Sequence, residues 1–192
     1  MKPGALAGRR ARSRRQAAAD GATAEDLERR AWRAALAVLA RRETAEEQLR
    51  RTLLGKGHEQ AAVESALERL RRERYVDDAG LAVRYARSRM EFRGLGQHRV
   101  RQGLRKRGVA GAIIEDGIRE ALGEVSERGV LDRLARRYWT QRRRDVPAKR
   151  LRGLWAFLVR RGFPAALVHE RLRALWPRWS DALEGLEPHE GE

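Results

Sequence analysis

The sequence has no cysteine, five prolines and no apolar run longer than Ala34 to Ala40. The first absence excludes disulfides, thiol nucleophiles and cysteine metal sites. The second leaves long stretches in which a helix need not break. The third excludes a spanning helix, which needs roughly 18 to 20 consecutive apolar residues, and the N-terminus is a basic tract with no apolar segment behind it, so no secretion signal is visible. The cytoplasm is the expected compartment. Alternating β-branched runs with turn signals are also missing, which argues against strands. His58, His98, His169 and His189 are scattered without an H-x-x-x-H pair. Ser65, Ser88, Ser126 and Ser180 lack an activating motif, and no Gly-rich loop follows a strand. No enzyme, no metal, no ATP site and no cofactor are expected.

What is present is helix-forming. Ala, Leu, Arg and Glu dominate, and 42% hydrophobic residues beside 36% charged ones require elements with a narrow buried stripe and a solvated back. The predicted fold class is all-α, with no β-sheet. A net charge of +16 and a pI near 11.4 require an acidic partner, of which nucleic acid is the commonest and an anionic membrane surface the rival.

Residues 1–23, rich in arginine and poor in apolar bulk, are expected to be a disordered basic arm. From Thr23 the apolar residues Leu27, Ala31, Ala34, Ala35, Val38 and Leu39 recur at helical spacing, predicting a helix to about Arg42. Thr44 and Glu47 have the spacing of a capping box for the next one, which is expected to stop at Gly57. Three glycines preceded by a basic residue then align: Lys56-Gly57, Arg107-Gly108 and Arg161-Gly162, 51 and 54 residues apart. Four and eight residues before them stand Leu53 and Leu49, Leu104 and Val100, Leu158 and Leu154. Six, ten and thirteen after stand Val63, Leu67 and Leu70, then Ile114, Ile118 and Ala121, then Val168, Leu172 and Leu175. A helical stretch precedes each motif, so the pattern predicts a tandem array of three three-helix repeats, at 24–78, 79–125 and 126–177, with an acidic tail at 178–192. Units of this size should stack into a thin, elongated body. The basic residue and glycine are the ordinary way to end a helix.

Between the first two repeats lies Tyr75-Val76-Asp77-Asp78, followed by Leu81-Ala82, Tyr85 and Arg89, then Gly96, Arg99-Val100, Leu104, Arg107 and Gly108-Val109. In order and spacing this resembles the RecX family of recombination regulators, over most of residues 30–177. The first repeat lacks the Gly-x-x-Arg opening, the third has a basic insertion around Gln141 to Asp145, and the arm and tail lie outside the resemblance. The resemblance implies a regulator that binds RecA filaments on single- or double-stranded DNA and inhibits strand exchange and coprotease function, in DNA repair and the SOS response; a monomer is expected. The alternative is a basic helical-repeat protein that binds DNA independently of RecA. Membrane-surface binding ranks third.

Asp77 and Asp78 do not suggest a metal or acid–base site, because neighbours on a helix point about 100° apart and no further ligand completes them. They are expected to start a helix. Binding is expected on the basic faces instead. From Arg133 to Arg161 the span holds Arg136, Arg137, Arg142, Arg143, Arg144, Lys149, Arg150, Arg160 and other arginines against Asp145 alone, without the usual acidic partners. Arg99, Arg101, Lys106 and Arg107 form a second, smaller candidate patch. Trp139, beside the Arg142–Arg144 run, is the aromatic considered for base stacking or a partner contact. Trp32, Tyr85, Tyr138, Trp155, Phe157, Phe163 and Trp176 fall on or beside apolar stripes and are mostly expected in the core.

Overall fold

A computed structural model describes residues 23–177. The basic arm, apart from Thr23, and the acidic tail lie outside the described residues. Among the described residues the chain is all-helical: α1 (Ala24–Leu39), α2 (Glu46–Gly55), α3 (Gln60–Arg72), α4 (Asp78–Glu91), α5 (Gln97–Arg105), α6 (Gly111–Glu124), α7 (Glu127–Gln141), α8 (Pro147–Arg160) and α9 (Ala165–Leu175). None of these helices is long and apolar enough to cross a membrane. Two compact units part between Asp77 and Asp78, the first holding α1–α3 and the second α4–α9.

The middle helices end as the aligned glycines predict. Gly57, Gly108 and Gly162 all take the left-handed conformation, at φ of 85°, 82° and 88°. In each case the following amide reaches back five residues: His58 to Leu53 O, Val109 to Leu104 O and Phe163 to Leu158 O, at 3.2, 3.3 and 3.3 Å. That bond occupies a carbonyl the helix end would otherwise leave unpaired. Of the fifteen aligned apolar positions around these glycines, fourteen are buried. Leu175, at the end of α9, is half-buried.

Within the first unit, Ala35, Leu49, Leu53, Val63, Leu67, Leu70 and Val76 form the core, and Trp32 packs against it. Ala31, Ala62 and Ala66 line a second seam between α1 and α3, where small side chains let the backbones approach. Thr23 and Asp26 form a capping box that starts α1, which ends at Leu39, short of Arg42. The box expected from Thr44 and Glu47 does not form. Ala45 is the N-cap of α2; Thr44, 4% exposed, donates its hydroxyl to Arg42 O at 3.1 Å, and Glu47 accepts from Arg50 and Arg51 instead.

An ion pair also repeats. Arg50 on α2 donates Nε and Nη2 to the two Glu64 oxygens on α3 at 2.8 and 3.1 Å. Arg101 on α5 does the same to Glu115 on α6, at 2.6 and 2.7 Å. Both pairs sit 51 residues apart in register, clipping the second helix of a repeat to its third by paired charge-assisted bonds. The matching positions of the third repeat, 54 residues on, hold Trp155 and His169. There the corresponding link runs between other helices, Arg171 on α9 to Asp132 on α7 at 3.0 and 2.6 Å.

The second and third repeats are joined end to end inside the second unit. The start of α5 offers unpaired amides and the end of α8 offers unpaired carbonyls, and each set satisfies the other. Gly96 N donates to Arg161 O and His98 N to Gly162 O, both at 3.0 Å. Between them, Gln97 N donates to the Glu127 carboxylate at 2.9 Å. This approach requires Gly96: a Cβ there would lie 2.3 Å from Phe163 N and 2.4 Å from Gly162 C and O.

Of the aromatics expected in the core, only Phe163 is fully buried. Trp32, Tyr85, Tyr138, Trp155, Phe157 and Trp176 are half-buried, and several form platforms for arginine. Arg69 lies 4.2 Å over Trp32 and Arg107 lies 4.4 Å over Tyr85.

Candidate nucleic-acid interface

Single arginines are cheap to solvate, whereas an arginine cluster without carboxylates repels itself and attracts anions. The third repeat presents such a cluster. Two of its acids are used elsewhere, Asp132 by Arg171 and Glu170 by Arg128, which leaves Asp145 as the acid within the cluster. Arg133, Arg136 and Arg137 on α7, Arg142, Arg143 and Arg144 in the following turn, and Lys149, Arg152 and Arg160 on α8 are exposed. Arg142 lies 4.7 Å over the Tyr138 ring, leaving its charge without a counterion.

Other expected binding residues are held by the fold. Arg150 is 9% exposed; its guanidinium stacks 3.8 Å over Trp139 and donates to Trp139 O and Arg142 O, tying α8 to the end of α7. Trp139 also meets Trp176 at 4.6 Å, so the ring considered for stacking on a base is engaged within the protein. Arg101 belongs to the Glu115 clip. Hydrogen bonding to Glu115 strengthens its hold on its proton, and the same contact holds the Glu115 carboxyl below its usual range. Arg107 packs on Tyr85 and donates to Gly103 O at 3.0 Å. Arg99 donates Nε to Arg160 O at 2.9 Å, and Arg161 donates to Arg93 O and Gly94 O at 2.6 and 3.3 Å. Lys106 is exposed at the end of α5.

The Tyr75 to Gly108 motif lies at helix ends and packing contacts. Asp78 is the first residue of α4, with Asp77 just before it, and no group of three metal-ligating side chains occurs among the described residues. Tyr75 stacks edge-on against Trp32 at 5.8 Å. Tyr85 lies over Gly103, where a Cβ would meet its hydroxyl at 2.3 Å. Gly96 makes the junction, Leu104 is fully buried, and Gly108 ends α5.

The Arg160-Arg161-Gly162 turn borders two basic grooves in the second unit. One, of about 480 Å³, gathers His98, Arg99, Arg101, Arg105 and Arg160. The other, of about 790 Å³, gathers Arg89, Arg93, Arg133, Arg137 and Arg161, with Glu91 as its acid and Phe92 among its walls. Of these, Arg133 lies in the span expected to bind, whereas Arg89, Phe92 and Arg93 were not among the expected binding residues. A sequence signal for them exists: Arg89 and Arg93 are four apart, and Phe92 falls off the buried Leu81, Ala82, Ala86, Met90 stripe of α4.

Comparison with known proteins agrees with this architecture. Residues 31–70 match a family profile described as RecX, first three-helix domain, and residues 77–118 one described as RecX, second three-helix domain. A Regulatory protein RecX from Halorhodospira halophila is 40% identical over 140 residues, covering 70% of this chain and 81% of that protein. One from Deinococcus radiodurans is 31% identical over 159 residues, covering 82% and 71%. The crystal structure of RecX from Lactobacillus salivarius superposes with a TM-score of 0.73 at 17% identity, covering 79% of this chain and 97% of that one, a likeness of fold.

Proposed function

Because the chain belongs to the RecX family of regulatory proteins, we propose that it is a cytoplasmic regulator that binds RecA filaments on DNA and inhibits recombinase and coprotease activity. The family is one of non-enzymatic regulators, so the work is done by binding. The observation that carries the reading is the arginine-rich surface of the third repeat, from Arg133 to Arg160, where Asp145 is the lone acid and Asp132 and Glu170 are taken by Arg171 and Arg128. A RecA filament on DNA presents a regular row of phosphates beside protein, and exposed arginines in several helices suit a surface of that kind. Arg136, Arg137, Arg142, Arg143, Arg144, Lys149 and Arg160 are the contact residues in this reading, with Lys106 as a secondary contribution from the second repeat. Arg99, Arg101, Arg107, Arg150 and Arg161 are tethered by contacts within the protein and shape the surface.

The test is to add the purified protein to RecA on single-stranded DNA and follow ATP hydrolysis and strand exchange. Inhibition at or below equimolar ratio to RecA is expected. Loss of activity only in proportion to DNA sequestered, relieved by excess DNA, would replace the reading with a DNA-binding protein that acts without RecA.

A further inference from the structure

Phe92 follows the last residue of α4 and is 78% exposed. A single exposed phenylalanine is ordinary on a protein surface; this one lines a concave basic groove of about 790 Å³. The groove has apolar walls at Leu95, Val130 and Leu134. Arg93, Arg133 and Arg137 reach it from two elements, exposed and without a carboxylate partner. Arg161 is oriented by the Arg93 and Gly94 carbonyls. An aromatic face next to arginines is the combination that binds unpaired bases and their phosphates. Trp139, the aromatic beside the Arg142–Arg144 run, is already covered by Arg150 and Trp176.

We infer that this groove binds single-stranded nucleic acid, with one unpaired base stacked on Phe92 and the adjoining phosphates held by Arg93, Arg133 and Arg137. A duplex would satisfy the arginines but leave Phe92 uncovered, because the faces of a paired base are occupied by its neighbours in the stack. Glu91 is the opposing charge in the groove, and it weakens phosphate binding there. The inference rests on the reading that this protein meets DNA, and it adds which strand state the groove selects and by which ring.

The experiment measures anisotropy of labelled oligothymidine and of a duplex of equal length with the full chain. Phe92→Ala should weaken single-strand binding by about five- to 150-fold, the equivalent of one lost base stack, and leave duplex binding unchanged. Phe92→Tyr should retain binding. Arg133→Gln and Arg137→Gln should each flatten the salt dependence on the single strand by about 0.7, and Glu91→Gln should tighten binding. A thermal melt of Phe92→Ala matching wild type confirms that folding is intact, as the exposure of the ring requires. Unchanged single-strand affinity in Phe92→Ala, or equal loss on both DNAs, overturns the inference. So does Phe92-dependent binding of a polyglutamate peptide in preference to DNA, which would assign the groove to an acidic protein segment. If wild type inhibits RecA while Phe92→Ala keeps its DNA affinity, the groove assignment fails and the filament reading stands. If wild type leaves RecA untouched yet binds single strands through Phe92, the filament reading fails and the groove stands.

Discussion

Replacing Gly96 with alanine probes the junction between the second and third repeats. The added Cβ would lie 2.3 Å from Phe163 N and 2.4 Å from Gly162 C and O, and all three are backbone atoms that cannot swing aside. The α5 start must therefore back away from the α8 end, lengthening the bonds from Gly96 N to Arg161 O and from His98 N to Gly162 O, each now 3.0 Å. Leaving the groups of one such bond buried and unpaired costs about 1–3 kcal/mol, and two bonds are affected. The expected loss is about 2–5 kcal/mol, which in a unit of this size corresponds to a melting-point decrease of about 10–30 °C. Thermal unfolding followed by circular dichroism gives the magnitude, and hydrogen exchange gives the location. Amides of residues 97–105 and 160–163 should lose protection, while those of α3 in the other unit keep theirs. Gly123→Ala is the control: it sits inside α6 with nothing within 4 Å of the added carbon and should stabilise by about 1 kcal/mol. A Gly96→Ala protein as stable as wild type would refute the end-to-end junction.

Leu104→Ala and Leu158→Ala remove side chains with no exposure, and each should cost about 2–5 kcal/mol in denaturant unfolding. Alanine at Arg142, Arg143 and Arg144 together should weaken DNA or filament binding in a salt-dependent titration while helical content stays nearly unchanged, since all three are exposed; an unfolded triple variant would make them structural. Trp139→Ala, by contrast, should cost about 1–3 kcal/mol of stability through lost stacking with Arg150 and Trp176 and leave single-strand affinity as it was. Acid should destabilise the fold. Glu47, Glu64 and Glu115 are held below the ordinary glutamate value of 4.5 by hydrogen bonds from Arg50, and for Glu47 also Arg51, and from Arg101. Their contribution is complete above pH 4.5 and is lost as pH falls through the lower folded values. His58, lowered from 6.5 by burial and then by Lys56, adds a smaller decline that begins below pH 6.5. Chemical denaturation across this range reads both, and stability that rises on acidification would contradict the signs.

Much of the architecture was legible because it rests on short-range rules. A helix end closed by glycine needs a donor and acceptor five residues apart, and a buried stripe needs apolar residues three and four apart, so three aligned motifs announced three similar helix pairs. The capping box at Thr44 misled because a buried threonine has a competing backbone acceptor, Arg42 O, two residues away. The proposed binding surface was only partly legible. Arg136, Arg137 and the Arg142–Arg144 run lie exposed as expected, but Arg101 and Arg150 carry the same charge in the sequence and are held within the fold.

The sequence by itself determined the all-helical class, the repeat, the helix ends and the scarcity of acidic residues between Arg133 and Arg161, because periodicity, capping and local charge balance act within one or two helical turns. Only the tertiary structure decided which arginines remain free, that Trp139 is covered and Phe92 is open, and that Gly96 meets Gly162. The Arg99 to Arg160 bond closes 61 residues of chain; contacts over that separation depend on how helices pack, and packing is settled by the summed fit of many side chains.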